Sequence, residues 1–252
     1  MVDLQQRPLS FSSIKEFAKS PKHYLKYINK ERTPPTDAMK LGSIVHCLML
    51  TPELFNEQFA VSPDINKRTN AGKEEWAHFS VLNAGKIVVD NSDYEHARRL
   101  VDTAMTNDSI YNAIKSCHSF EKEWKMDIDG LPYRGFYDGL SSDYILEIKT
   151  INDASPKNVM SDFYKRRYHM QASLYSMSHF NLPVLYIIVE TSEPYLSYIA
   201  YTDDEYIKQG EKEISRLNET FKRCMYLDNF NSGYEYHTNG NISISLPWSV
   251  EK

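Results

Sequence analysis

Apolar residues recur every three or four positions through most of the first 115 residues and then give way to alternation, so the chain reads as helices followed by sheet. Residues 12–28 are expected to be helical, with Ser13 and Glu16 as a capping box and Pro21 where the helix breaks or restarts. Lys15, Lys19, Lys22, Lys26 and Lys30 would form a stripe if the helical phase runs on. After the ERTPPTD loop, AMKLGSIVHCLML predicts a largely apolar helix, and TPELFNEQF begins another with Pro52 in its favoured first turn. A polar loop leads into a helix near 72–84 closed by Gly85. KIVVD makes a short strand, and 92–115 is helical in two pieces.

EKEWKMDIDGLPYRGFYDGLSSDYILEIKT then predicts three strands, turning at Asp129-Gly130 and at Ser141-Ser142-Asp143. A helix near 157–180, strands VLYIIVET and YLSYIAY, and a long helix near 203–226 capped by Thr202 and Glu205 complete the pattern, with the SISLPW tail irregular. The expected class is mixed α/β: a central mixed sheet, part of it an antiparallel meander, flanked by helices. One domain is expected across 1–252, helical over about 1–115 and sheet-based over about 116–252.

Composition narrows the chemistry only a little. The 252 residues suffice for a real core, and 41% hydrophobic with 25% charged residues is ordinary for a globular chain. A net charge of −5 argues against a basic coat for nucleic acid but leaves room for a local basic track. Cys47, Cys117 and Cys224 are too scattered for a zinc ribbon or a disulfide framework and suit a reducing compartment. MVDLQQRPLS lacks the apolar core of a signal peptide, and IVHCLML is too short to span a bilayer, so a cytoplasmic protein without membrane contact is expected.

The chemical signal lies in YRGFYDGLSSDYILEIKT, residues 133–150. Alternation puts Leu146 and Ile148 on the core face of a strand and Glu147 and Lys149 on the other, roughly 7 Å apart. A tight SSD turn would bring Asp138 to the same end. Two close carboxylates repel unless a cation sits between them, and oxygen ligands suit Mg²⁺ or Mn²⁺. A neighbouring lysine can orient water or stabilise charge on a phosphate, so the set suggests metal-assisted phosphodiester hydrolysis. Taken alone, E-x-K on a strand is more often a solvated ion pair. His46 stands one helical turn after Gly42, whose missing side chain allows close approach, and imidazole is a common metal ligand. Gln171 and Tyr175 are likewise one turn apart, a polar edge that would otherwise mark a helix–solvent boundary.

In order, His46, GFYDGL with Asp138, the EIK triplet and QASLY resemble the PD-(D/E)XK nuclease superfamily in its RecB-like branch, with a restriction-endonuclease-like core. LSFSSIKEFAKSPKHYL, LGSIVHCLMLTPELF, INKRTNAGKEEW, YKRRYHMQASLYS and the closing SLPW further resemble the exonuclease VIII family over almost the whole chain. The resemblance implies a Mg²⁺-dependent 5′-to-3′ exonuclease on double-stranded DNA ends, with Mn²⁺ able to substitute. It implies metal ligation by His46, Asp138, Glu147 and the Ile148 backbone carbonyl, Lys149 as the catalytic lysine, and Gln171 and Tyr175 as the Q-x-x-x-Y pair that shapes the site and contacts DNA. Glu147 stands where exonuclease VIII has Asp, and the residues around Asp138 also differ. The resemblance further implies a homo-oligomer, a tetrameric ring by analogy, with a single-strand annealing recombinase as partner.

Two other classes stay open at this point: a nuclease fold that only binds DNA or scaffolds a partner, and an endonuclease of the same superfamily. The complete set of His46, Asp138, Glu147 and Lys149 favours catalysis. Lys165, Arg166 and Arg167, just before the Q-x-x-x-Y segment, and Lys67, Arg68 and Lys73 are the expected DNA contacts. The Lys15-to-Lys30 stripe is read equally as a phosphate track or a solvated face.

Overall fold

The computed structural model describes residues 7–29 and 35–234; the SLPW segment and Lys30 lie outside them. Leu9 runs extended beside the later Tyr133, its N–H donating to the Pro132 carbonyl at 2.7 Å. A helix can therefore start only after Ser10, and α1 (Phe11–Phe17) does so. The capping box is Ser10 with Ser13, one turn before the expected Ser13–Glu16 pair, and Glu16 instead accepts from Lys19 Nζ at 2.8 Å. Because α2 is a separate helix (Pro21–Asn29), Lys15 and Lys19 do not share a continuous phase with Lys22 and Lys26. The stripe is broken there.

Thr36 caps α3 (Asp37–Leu50), a 3-10 turn spans Pro52–Leu54, and α4 is short (Phe55–Gln58). An unexpected strand, β1 (Phe59–Val61), pairs in parallel with β2 (Ile87–Val89) across α5 (Asn70–Leu82). Thr69 caps α5, which starts at Asn70, two residues before the expected start, and Gly85 closes the segment at φ 88. The next helical stretch splits into α6 (Asn91–Met105) and α7 (Asp108–Lys115), where the Asn107 side chain caps α7.

The main sheet has the order β3 (Ser119–Ile128), β4 (Leu131–Leu140), β5 (Ile145–Ile151), β6 (Val184–Glu190) and β7 (Ser197–Tyr201). Only β5 and β6 run parallel; the other neighbours are antiparallel. Asp129 and Gly130 turn the first hairpin with φ of 56° and 79°, the left-handed pair that a two-residue turn requires. The parallel β5–β6 step needs a crossover, supplied by α8 (Pro156–Lys165) and α9 (Tyr168–Ser178). These are two helices rather than one over 157–180, because Arg167 turns left-handed at φ 57. The last helix, α10 (Asp204–Tyr226), is capped by Asp203, not Thr202, whose hydroxyl donates to the Val184 carbonyl at 3.0 Å.

This crossover changes one expectation. Leu146 and Ile148 do face one core, with α3, α6 and α7, but the opposite face of β5 is also covered, by α9 and α10 together with α1 and α2. Glu147 is 1% exposed, so its side chain enters a second core rather than an open face. Parallel strands of this kind are buried on both sides.

The α9–α10 crossing is set by Gly210. A Cβ there would lie 2.1 Å from Ser173 Oγ and 2.2 Å from the His169 carbonyl. Gly210→Ala should cost about 2–3 kcal/mol in urea unfolding, and a variant as stable as the parent would contradict this packing.

Candidate active site

The site opens where two strands part. The β4–β5 ladder pairs Leu140 with Ile145 and Gly139 with Leu146. Further along, the Ile148 N–H donates to Asp138 Oδ2 at 2.7 Å, and the Ile148 carbonyl lies 3.1 Å from His46 Nε2. The N–H and C=O of one strand residue point to the same edge. Two side chains thus occupy the backbone groups that β4 leaves behind. Gly42 lets α3 descend onto β5, since a Cβ there would already sit 3.2 Å from Thr150 Oγ1. One turn on, His46 then reaches Ile148.

The β3–β4 pair distorts at the same place. Phe120↔Gly139 and Lys122↔Tyr137 bracket Glu121 and Asp138, and Glu121 is left-handed at φ 49. Trp124 and Tyr137 belong to one core while Phe120 packs on the other, so the strand pair turns over here. Left-handed backbone in a residue with a side chain is strained, and such strain gathers at functional sites.

Single ligand atoms of His46, Glu121 and Asp138 all lie within 4.8 Å of one another. A carbonyl only accepts, so His46 donates through Nε2, and in the neutral ring this leaves the Nδ1 lone pair facing Asp138 Oδ2, 3.5 Å away. Acceptors facing acceptors repel, and a divalent cation among them relieves the repulsion. Although Glu121 opens onto the cleft, crowding by the walls strips part of its hydration, and this, then Asp138, raises its carboxyl above the usual range.

Glu147 lies beside this group. Its Oε2 accepts from Lys149 Nζ at 2.8 Å and from Gln171 Nε2 at 2.9 Å. Its other oxygen, Oε1, is buried and meets no hydrogen-bond partner among the described residues. A buried carboxylate oxygen left in this state is costly unless a cation meets it. Burial, then repulsion from Asp138, raises the Glu147 carboxyl to about 8, with Lys149 pulling the other way. For Lys149, burial alone would favour the neutral amine, but Glu147 and Asp138 outweigh it and hold the ammonium form. The Tyr168 ring, 5.0 Å from Nζ, adds a cation–π contact. The donor set of two carboxylates, Glu121 and Asp138, with one imidazole fits a hard divalent ion, and Glu147 lies beside it.

Gln171 and Tyr175 are both buried, joined at 3.1 Å, and brace Glu147 from behind. Of the expected basic contacts, Arg166 lines the cleft of roughly 980 Å³ in front of the site, with Tyr168 and Phe136. Lys165 and Arg167 line a separate cavity. Lys67 lies over the Trp76 ring at 3.2 Å, and exposed Arg68 and Lys73 flank the start of α5. Of the lysine stripe, Lys15 approaches the site: burial lowers its pKa, Glu16 offsets this in part, and Lys19, Arg166 and Lys149 lower it further. Glu121 is the residue that motif reading misses. Its signal was the hairpin register, since counting outward from the Asp129-Gly130 turn sets it opposite Asp138.

A mixed sheet with Asp138 at a strand parting, E-x-K on the next strand and Q-x-x-x-Y behind it is a PD-(D/E)XK-like core. Residues 10–233 match the family described as a PDDEXK-like domain of unknown function (DUF3799), and the chain belongs to that family. The fold resembles that of a candidate exonuclease from Eubacterium rectale, with a TM-score of 0.62 at 12% identity over 95% of this chain and 91% of that one. An alkaline exonuclease from Laribacter hongkongensis, LHK-Exo, matches at 0.31 and 16% identity over 71% of this chain and 96% of that one. This last likeness carries no weight here. No curated protein matches the sequence. Among the described residues, no helix is long and apolar enough to cross a membrane.

Because raised carboxyls must ionise before they ligate, protons and the ion compete. Mn²⁺ affinity measured by calorimetry should climb as pH rises towards about 8 and level off above it, with protons released on binding. Affinity independent of pH would contradict the ligand set.

Proposed function

We propose that this chain is a Mg²⁺-dependent exonuclease that hydrolyses phosphodiester bonds from the ends of double-stranded DNA. The observation that carries the reading is the convergence of the His46–Glu121–Asp138 acceptors with the buried Glu147–Lys149 pair, with His46, Glu121 and Lys149 lining an open cleft. When bound, a divalent ion supplies Lewis-acid polarisation of a phosphoryl oxygen and a more acidic water. Lys149 holds a fixed positive charge where negative charge develops on phosphate, in a poorly hydrated corner where such charge acts strongly. Gln171 keeps Glu147 in one orientation, Asp138 is anchored by the Ile148 N–H, and Arg166 offers the cleft wall a cation for the substrate backbone.

The resemblance to the exonuclease VIII family supports 5′-to-3′ polarity, products with 3′ single strands, a ring-like homo-oligomer and an annealing recombinase as partner. The candidate-exonuclease description of the Eubacterium rectale structure is in keeping with exonuclease activity and does not bear on polarity, assembly or partner. A ring would let an acidic protein hold a polyanion, because only its basic lining needs to face DNA.

Lys149→Ala and Glu147→Gln should each reduce cleavage about 10³-fold. Removing the partner of a buried ion usually costs about 3–5 kcal/mol, but the raised Glu147 carboxyl can take a proton, so Lys149→Ala should stay folded at neutral pH. Linear duplex labelled at the 5′ or the 3′ end, beside a closed plasmid, tests the reading. Expected are early release of the 5′ label and an intact plasmid. Wild-type cleavage by Lys149→Ala defeats the site assignment, early loss of the 3′ label reverses the polarity, and rapid nicking of the plasmid favours an endonuclease.

A further inference from the structure

A second cavity, of about 460 Å³, lies between the α8–α9 turn and α10. The turn contributes Lys165 and Arg167, and α10 contributes Lys212 and Arg216, one helical turn apart. The acid in its wall, Glu213, is already engaged. It accepts from Arg167 Nη1 and, at 2.7 Å, from His169 Nε2. Among the described residues, no carboxylate forms an ion pair with Lys165, Lys212 or Arg216. Burial, and then the Arg216 guanidinium, hold Arg167 below its ordinary range, in keeping with like charges held close. Charged residues on a surface are usually just solvated. Here three cations without a counter-charge line a concavity, on a chain whose net charge is −5, over a frame that Glu213 holds in place.

The position of the cavity indicates what it takes. Arg166 and Tyr168 line the active-site cleft, whereas Lys165 and Arg167 line this cavity. The left-handed turn at Arg167, φ 57, sends its side chain to the flank opposite those of its neighbours. One turn of chain is therefore the wall between cleft and cavity. With adjacent Cα atoms about 3.8 Å apart and two long side chains pointing apart, their charged heads lie on the order of 10–15 Å from each other. At about 3.4 Å per nucleotide that is roughly three or four nucleotides.

We propose that this cavity is a subsite for backbone phosphate of the DNA whose end occupies the cleft, about three or four nucleotides from the phosphate that Arg166 faces. The proposal rests on the nuclease reading above, deepening it from an active site to a substrate path. Phosphate there is positioned, not read, so the subsite serves every sequence alike.

The test couples protein and DNA changes, with Ca²⁺ replacing Mg²⁺ so that binding is read without turnover. One duplex is natural; others carry two neighbouring neutral methylphosphonate linkages at successive positions inward from the end, in each strand in turn. The Lys212→Ala/Arg216→Ala double variant alters two exposed positions of α10 and leaves the catalytic residues untouched. It should bind the natural duplex about tenfold more weakly, with a salt slope smaller by about two. At one position in one strand, the neutral linkages should weaken wild-type binding about tenfold and leave the double variant unaffected, because both changes remove the same contact. Lys212→Arg/Arg216→Lys should restore binding. Wild-type affinity and salt slope in the double variant, or losses that simply multiply, would overturn the subsite. Wild-type protein that shows the coupling yet never cuts linear duplex in Mg²⁺ would sink the nuclease reading and leave the subsite standing.

Discussion

The site depends on the parting of β4 from β5 after Gly139↔Leu146. A buried backbone N–H or C=O without a partner costs as much as a lost hydrogen bond, so a ladder that opens inside a core must be closed by other groups. Here those groups are the carboxylate of Asp138 and the imidazole of His46, both held by Ile148. The same contacts that repair the sheet also orient the prospective ligands. Removing the strand opening would pair Ile148 normally and leave neither side chain positioned.

The crossover between β5 and β6 supplies the second half of the arrangement. It lays α9 over the face of β5 that carries Glu147, and the resulting loss of water raises the carboxyl and strengthens its attraction to Lys149. An isolated surface E-x-K pair would contribute little. In this setting Gln171 satisfies one carboxylate oxygen and leaves the other, Oε1, without a hydrogen-bond partner. Burial, rather than the motif itself, makes the pair chemically useful.

Local signals in the sequence were legible where the chemistry is local. The Asp129-Gly130 turn, Gly42 before His46, and the shared face of Leu146 and Ile148 each appear as read, because each depends on backbone geometry within a few residues. What was missed depends on distant contacts. The helix starts at Phe11, capped by Ser10, because Leu9 is tied to Pro132 and Arg134, which no reading of residues 12–28 reveals. Strand β1 has three residues and exists through its pairing with β2. The spacing of Gln171 and Tyr175 shows only a polar helix edge; their expected place at the site came from the family resemblance, because the partner Glu147 sits on another element. Glu121 needed the register carried back from the hairpin turn, and a sequence pattern alone does not say that the strand pair turns over there.

Repairing the parted strands is what builds the proposed divalent-ion site. Anomalous diffraction from a crystal of the wild-type protein soaked with Mn²⁺ tests it most directly. The expected result is a peak bounded by His46 Nδ1, Asp138, Glu121 and Glu147 Oε1, which has no hydrogen-bond partner among the described residues, with the Ile148 contacts to Asp138 and His46 intact. No peak there at saturating Mn²⁺, or a peak bound only by residues away from the strand parting, would contradict it.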